Sequence, residues 1–258
     1  MASFQPRSVF ITGASSGLGR GLAFHYARGG ATVHAAARRQ PELEALAAEV
    51  ARQAMPGQIV PVALDVTDAE AQARAIAAAE EQSGGALDLV VANAGVGEPT
   101  SAPTIDWRRV KRVLDVNVSG ACVTLAAALP AMVARGAGTV VAISSLAAFR
   151  GLPGMAAYCA SKIALHAFME SLRVDLRGSK VRALTVYPGF VKTEMTAKSR
   201  SYMPFLMELD DAIAVIAKGV AKGDPEILFP FPLSAAVRAL GALPRALYEP
   251  LAARGRER

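Results

Sequence analysis

Short, continuously apolar runs alternate along the chain with longer stretches in which apolar residues recur every three or four positions. Val9-Phe10-Ile11 leads into the turn Thr12-Gly13-Ala14-Ser15-Ser16-Gly17-Leu18-Gly19, and a helical pattern follows to about Arg28. Further strands are predicted at Ala31–Ala36, Ile59–Leu64, Leu87–Ala92, Thr139–Ile143, Val181–Tyr187 and, more briefly, Ile227–Phe229. Between them the helical period predicts helices from Pro41 to about Ala54, from an N-cap at Asp68, in one long stretch between the fourth and fifth strands, and from about Met155 to Leu176. Strands without polar alternation are buried on both faces, and strand–helix alternation makes them parallel. The expected fold class is therefore α/β: a doubly wound parallel sheet of about seven strands, with helices on both faces and right-handed crossovers. No repeat, low-complexity tract or linker divides residues 1–258, which read as a single domain.

Composition narrows the function. The chain is 52% hydrophobic and 19% charged, enough to bury a large core, which excludes disorder. Its 2 cysteines cannot build a disulfide scaffold, so a cytoplasmic setting is expected. With 28 Lys+Arg against 22 Asp+Glu the net charge is +6, which fits a nucleic acid, an anionic lipid or a phosphorylated cofactor. No basic stripe with interleaved aromatics points to nucleic acid, and none is expected as a partner. The start, Met1 to Pro6, has neither the basic residues nor the apolar run of a signal peptide. The longest uncharged stretch, Val116 to Ala134, contains Asn117, Ser119, Gly120, Thr124 and Pro130, and reads as a buried core helix rather than a transmembrane span. His25, His34 and His166 lack a ligand spacing, so no metal is expected.

Candidate chemistry starts at the first turn. Gly13, Gly17 and Gly19 follow the first strand and open a helix, where backbone can approach a phosphate closely and free N–H groups carry partial positive charge. The spacing is Gly-x-x-x-Gly-x-Gly, so the position in a strand–helix–strand unit, rather than the glycines alone, argues for a dinucleotide. At the end of the second strand, an acid would bind the ribose 2′-hydroxyl of NAD; here stand Arg38 and Arg39, which suit a 2′-phosphate. NADP(H) is therefore preferred, with Arg38 the stronger candidate, and NAD(H) is the alternative.

Tyr158 and Lys162, four residues apart at the start of a predicted helix, share one face, and Ser145 ends the fifth strand, where open parallel sheets place ligands. A tyrosine working as acid or base near neutrality needs its pKa of about 10 lowered by about 3 units, roughly 4 kcal/mol. A lysine ammonium beside it acts in that direction. The ordered set Thr12–Gly19, Asp65-Val66, Asn93-Ala94-Gly95, Asn117, Ser145, Tyr158-Cys-Ala-Ser-Lys162 and Pro188-Gly189 resembles the short-chain dehydrogenase/reductase family over about residues 7 to 193. The resemblance implies a Rossmann-type fold and hydride transfer between nicotinamide and a ketone or secondary alcohol. It implies a catalytic set of Asn117, Ser145, Tyr158 and Lys162: Tyr158 as general acid or base, Lys162 lowering its pKa and bonding the nicotinamide ribose, and Asn117 holding a water in the proton relay. Ser145 is chosen over Ser144 because it stands thirteen residues before Tyr158. The cofactor positions implied are Gly13, Ser15, Ser16, Gly17, Leu18, Gly19, Arg38, Arg39, Asp65, Val66, Asn93, Ala94, Gly95, Tyr158, Lys162, Pro188, Gly189, Val191 and Thr193. Asp65 and Val66 match the adenine contact, and Thr193 the carboxamide contact. For Asn93 a purely structural role stays open. Ser16 departs from relatives that prefer NADP and carry a basic residue at that place. Relatives also commonly form homodimers or homotetramers through their two long helices.

Substrate choice is expected in the 190–225 segment, where Met195, Tyr202, Met203, Phe205, Leu206 and Met207 suit either a bulky hydrophobic small-molecule substrate or the ordinary packing of a lid. In the C-terminal extension, 230–258, Val237, Leu240, Leu243, Leu247 and Leu251 recur at helical spacing, and five Arg against two Glu follow from Arg238 onward. This extension reads as a helix docked on the domain or on a partner subunit, or as one making peripheral contact with a membrane. A dinucleotide-binding regulator without catalysis is the rival from another class.

Overall fold

The structure is a computed structural model that describes residues 4–197 and 203–254. Seven parallel strands form one sheet in the order β3-β2-β1-β4-β5-β6-β7. They are β1 (Ser8–Thr12), β2 (Thr32–Ala37), β3 (Gln58–Ala63), β4 (Leu89–Ala92), β5 (Gly138–Ile143), β6 (Val181–Pro188) and β7 (Glu226–Phe229). The order reverses beside β1, whose two neighbours are β2 and β4. There the connections leave in opposite directions and open a crevice at the carboxyl ends, where such sheets bind ligands.

Alternate residues of each strand feed two cores. Val9, Ile11, Val33, Val91, Val141 and Val186 pack under α1 (Gly17–Arg28), α2 (Gln40–Arg52) and α8 (Leu209–Lys222). Phe10, Val90, Ala92, Val140, Ala142 and Ala183 pack under α3 (Ala69–Gln82), α5 (Ala121–Arg135) and α6 (Ala156–Asp175). Both faces being covered explains why the strands are apolar throughout. Asp68 caps α3 by accepting from the Ala71 amide at 2.9 Å.

Most boundaries move by one or two residues from the sequence reading, and three differences have a local cause. Strand β2 begins one residue later, at Thr32, whose amide bonds the Arg7 carbonyl. Leu87 is fully buried but lies before β4, because Asp88 turns its carboxylate to the Arg7 amide and to Arg135. The long stretch between β4 and β5 is not one regular helix. It runs as α4 (Trp107–Leu114), a π-helical segment (Asp115–Gly120) and α5. By length and composition the run 107–135 would pass as a membrane span, yet Thr124, Leu125, Ala128 and Met132 are buried against the sheet and α3.

The lid contains the short α7 (Glu194–Ala197), and Tyr202 of the lid lies outside the described residues. The C-terminal extension forms α9 (Phe231–Gly241) and α10 (Arg245–Arg254), with Pro244 in the turn between them. Leu233 and Val237 pack on the small core around Tyr187, Leu146 and Ala148, so α9 docks on its own domain. Phe231, Leu247 and Leu251 stay exposed.

Candidate active site

The turn after β1 is built from residues that only glycine can occupy. A β-carbon at Gly19 would sit 2.4 Å from both the Gly13 carbonyl oxygen and the Asn93 side chain, and one at Gly13 would sit 2.8 Å from the Ala94 backbone. Gly13 and Gly17 also adopt positive φ, 68° and 53°. Ser16 precedes α1 in an extended conformation without capping it through its side chain. The first amides of the helix therefore face the crevice, with Leu18 packed on the core behind them. Asn93 braces this turn: its amide group donates to the Thr12 and Gly13 carbonyls at 2.9 and 3.2 Å, and Thr12 Oγ1 accepts from the Asn93 and Ala94 amides. These contacts give Asn93 a structural task.

The two arginines are not equivalent. Arg39 donates through Nε to Ser15 Oγ at 3.1 Å and pairs through Nη1 with Glu194 of α7, also at 3.1 Å. The Arg38 side chain is 62% exposed, and its ion pair among the described residues is with Asp65 at the outer limit, 4.0 Å. Asp65 is held below the usual carboxylate range, first by the Thr67 amide and then by the Thr67 hydroxyl and Arg38. Val66 is buried beside Gly120, its carbonyl accepting from Gln72. Arg39 is thus held at the turn, while Arg38, beside Asp65, is the freer of the two.

Ser145, Tyr158, Lys162 and Asn117 come together at the carboxyl ends of β4 and β5. Ser145 Oγ accepts from the Ala147 amide at 3.1 Å, and its hydroxyl acts on Tyr158 in the direction that favours the phenolate. Ser144 instead turns inward and donates to the Lys162 carbonyl. Lys162 is 4% exposed; its Nζ donates to the Ile143 carbonyl at 2.9 Å and stands 5.7 Å from the centre of the Tyr158 ring. Asn117 is drawn inward by the wide π turn. Its Oδ1 accepts from the Val96 amide at 2.8 Å, while its Nδ2 donates to the Val96 carbonyl at 2.9 Å and to Ser161 Oγ at 3.1 Å. Both amide hydrogens are committed to protein, so the side chain serves first as a brace on the 93–97 segment. That brace keeps Gly95 facing the Lys162 ammonium and Gly97 against the Tyr158 ring.

The protein groups alone move the Tyr158 pKa in the direction opposite to the sequence expectation. Burial raises it, the Ser145 hydrogen bond opposes this, and neighbouring Cys159 adds a smaller upward push. Burial also pulls Lys162 from 10.5 to about 8. At neutral pH the pair is therefore a neutral phenol beside a protonated amine, which is the state of a proton donor.

Thr193 seals the crevice from the lid side, its methyl 3.3 Å from where a β-carbon on Gly17 would stand. Its own hydroxyl meets that of Thr196. Pro188 ends β6, Gly189 donates to the Phe229 carbonyl at 2.8 Å, and buried Val191 bridges to Met207. Ser161 and Gly97 escaped the sequence reading. Ser161 was legible only as a small residue inside Tyr158-Cys-Ala-Ser-Lys162, and Gly97 only as a second glycine after Gly95. Among the described residues no group of three or more His, Cys, Asp or Glu converges as a metal site.

Residues 7–203 match the family model of the short chain dehydrogenases. The chain belongs to the short-chain dehydrogenase/reductase family. It is 52% identical over 254 residues, covering 98% of this chain and 99% of the other, to an uncharacterized oxidoreductase of Myxococcus xanthus. Among solved structures, an alcohol dehydrogenase from the archaeon Thermococcus sibiricus, complexed with 5-hydroxy-NADP, is 26% identical with a TM-score of 0.77 over 86% of this chain and 95% of that one. A short chain dehydrogenase/reductase from Burkholderia phymatum, in complex with NAD, shares the fold at a TM-score of 0.83 and 24% identity over 92% and 94% of the two chains. As a family member the protein is an oxidoreductase that binds small molecules, and solved neighbours carry either an NAD or an NADP-type ligand.

Proposed function

We propose that the protein is an NADPH-dependent carbonyl reductase, acting on an apolar ketone and its secondary alcohol. The observation that carries this reading is the convergence of Ser145, Tyr158 and Lys162 at the switch point, within reach of the uncapped start of α1. The glycine turn suits a dinucleotide, because α1 begins without a side-chain cap and Gly13 and Gly19, where β-carbons would clash with Ala94, Asn93 and Gly13, let the turn close tightly over those free amides. Residues 13–19 would hold the pyrophosphate, Asp65 and Val66 the adenine, Arg38 the 2′-phosphate, and Thr193, Val191 and Pro188-Gly189 the nicotinamide end. When bound, the dinucleotide supplies or accepts the hydride.

The chain's own groups then manage the proton and the carbonyl oxygen. Ser145 donates a hydrogen bond to that oxygen, with its hydroxyl oriented by the Ala147 amide. Tyr158, kept neutral by burial, gives up its Oη proton as the oxygen gains charge. The Lys162 ammonium stabilises the phenolate left behind, which is reprotonated from solvent along the segment that Asn117 braces. Met195 Sδ lies 3.8 Å from where a β-carbon on Gly97 would stand, close to the Tyr158 ring. This lid methionine, with exposed Phe205 and Leu206, supports an apolar substrate.

The test is turnover of a panel of ketones with NADPH, followed by loss of nicotinamide absorbance. Tyr158→Phe is expected to lower kcat by at least about 100-fold, the usual contribution of a positioned acid. Undiminished reduction by that variant would refute the mechanism. A non-catalytic regulator has no use for an ammonium held beside a buried phenol.

A further inference from the structure

Ser145 and Tyr158 stand at the two ends of one connection, so their separation depends on how that connection is held. It begins as a single helical turn, Leu146–Ala148, and continues without regular structure to Met155. From inside, the Leu152 amide donates to Cys159 Sγ at 3.2 Å, and the Gly154 carbonyl accepts from Thr100 at 2.8 Å. The middle of the connection, residues 149–151, is gripped from outside by the C-terminal extension. Arg150 Nη1 donates to the Gly241 carbonyl at 3.2 Å, and its guanidinium lies 4.2 Å from the centre of the Tyr248 ring. Tyr248 donates from its hydroxyl to the Gly151 carbonyl. One turn away, Arg238 stands 5.5 Å over the Phe149 ring while paired with Glu226 of β7 at 2.6 Å. The Phe149 backbone packs so closely that a β-carbon on Gly241 would meet its oxygen at 3.0 Å.

We propose that α9 and α10 form a clamp that fixes Ser145 relative to Tyr158, with Arg150 and Tyr248 as its positioning residues. The inference rests on the reading of Ser145 and Tyr158 given above. Arg150 is the hub, because it bonds α9 through a carbonyl and α10 through a ring at once. Tyr248 closes the loop by returning a hydrogen bond to the residue after Arg150. Releasing residues 149–151 frees the helical turn that begins at Ser145, and with it the hydroxyl that faces Tyr158. The Ser145 hydroxyl opposes the effect of burial on that phenol, so a loosened clamp raises the pH at which Tyr158 ionises. The glycine turn lies on other elements and is untouched.

The experiment compares Arg150→Ala, Arg150→Lys, Tyr248→Phe and, as control, Arg245→Ala, whose partner Glu249 lies on α10 itself. Arg150→Ala and Tyr248→Phe are expected to lower kcat roughly ten- to 100-fold, as for sub-ångström misplacement of reacting groups. The Kd for NADPH, followed by its fluorescence, stays unchanged. Arg150→Lys, which keeps a cation over the ring, recovers part of the loss, and the control behaves as wild type. Tyr158 ionisation, read as the difference in phenolate absorbance against the same protein carrying Tyr158→Phe, moves to higher pH in both clamp variants. That titration needs no turnover, so it tests the clamp even if no ketone is reduced. Unchanged kcat and unchanged ionisation in Tyr248→Phe, or a loss in Kd that matches the loss in kcat, would overturn the proposal.

Discussion

The ammonium of Lys162 is buried, donates to the Ile143 carbonyl and has its pKa pulled down to about 8 by the loss of water. Because the folded pKa lies below the unfolded one, the native state binds fewer protons than the unfolded state between about pH 8 and 10.5. Stability therefore rises with pH through that window, and the penalty is fully present below it. The drop from 10.5 to about 8 corresponds to roughly 3 kcal/mol. Lys162→Met is expected to unfold at higher denaturant concentration than wild type at pH 7, with the advantage shrinking as pH approaches 10, while losing turnover. Arg38 is the other residue whose burden is measurable. Arg38→Ala is expected to cost NADPH affinity roughly ten- to 100-fold, the worth of a charge-assisted bond, and to leave NADH affinity unchanged in the same titration. At this scale the sequence displayed Tyr158, Lys162 and Arg38 by type and spacing. It did not display the direction in which Tyr158 is shifted, because that direction is set by water exclusion from residues distant in the chain. It favoured Arg38 over Arg39 without displaying the physical reason, the capture of Arg39 by Ser15 and Glu194, which joins three segments.

Elements followed the hydrophobic pattern wherever packing needed only a periodic face. The helices predicted at Pro41–Ala54 and Met155–Leu176 appear as α2 and α6 because their stripes, Leu43-Leu46-Val50 and Leu165-Met169, have a sheet face to cover. The π segment at Asp115–Gly120 was invisible to that pattern, since one inserted residue leaves the apolar spacing on either side intact. Its gain is the inward turn of Asn117 and the near approach of Gly120 to the Val66 carbonyl, 2.8 Å from a β-carbon placed there. Helix α1 carries a different local conflict. Tyr26 packs in the core with a buried hydroxyl that has no hydrogen-bond partner among the described residues. An unpaired buried hydroxyl costs about 1–3 kcal/mol. Tyr26→Phe keeps the ring and removes the oxygen, so it is expected to raise the chemical-denaturation midpoint by roughly 1 kcal/mol of stability without altering turnover.

For the molecule as a whole, continuous apolar strands and helical alternation sufficed to place seven strands in a parallel, two-sided sheet. What the pattern could not show was where the C-terminal extension rests. The Val237-to-Leu251 spacing describes an apolar stripe, but α9 and α10 split at Pro244 and hold the domain through Leu233, Val237, Arg150 and Tyr248. The outer faces of α4–α5 and α6 keep Leu114, Val133, Ile163 and Val174 exposed. We propose these faces as the surface of a homodimer or homotetramer. Sedimentation of Ile163→Glu is expected to show smaller particles than wild type, and identical sedimentation would exclude that surface.

The bracing of the glycine turn by Asn93 also dictates when the crevice can exist. Register pairs Val9 with Leu89, and the Asn93 amide reaches back about eighty residues to Thr12 and Gly13. Contacts of such long sequence separation form late, because the intervening chain must be ordered first. Along the chain the turn precedes its walls, which arrive only with β4 and the residues after it. A nascent chain that ends before Asn93 therefore carries the glycines of the turn without the side chain that shapes them. Dinucleotide added during synthesis or refolding can capture only chains in which both halves have already met.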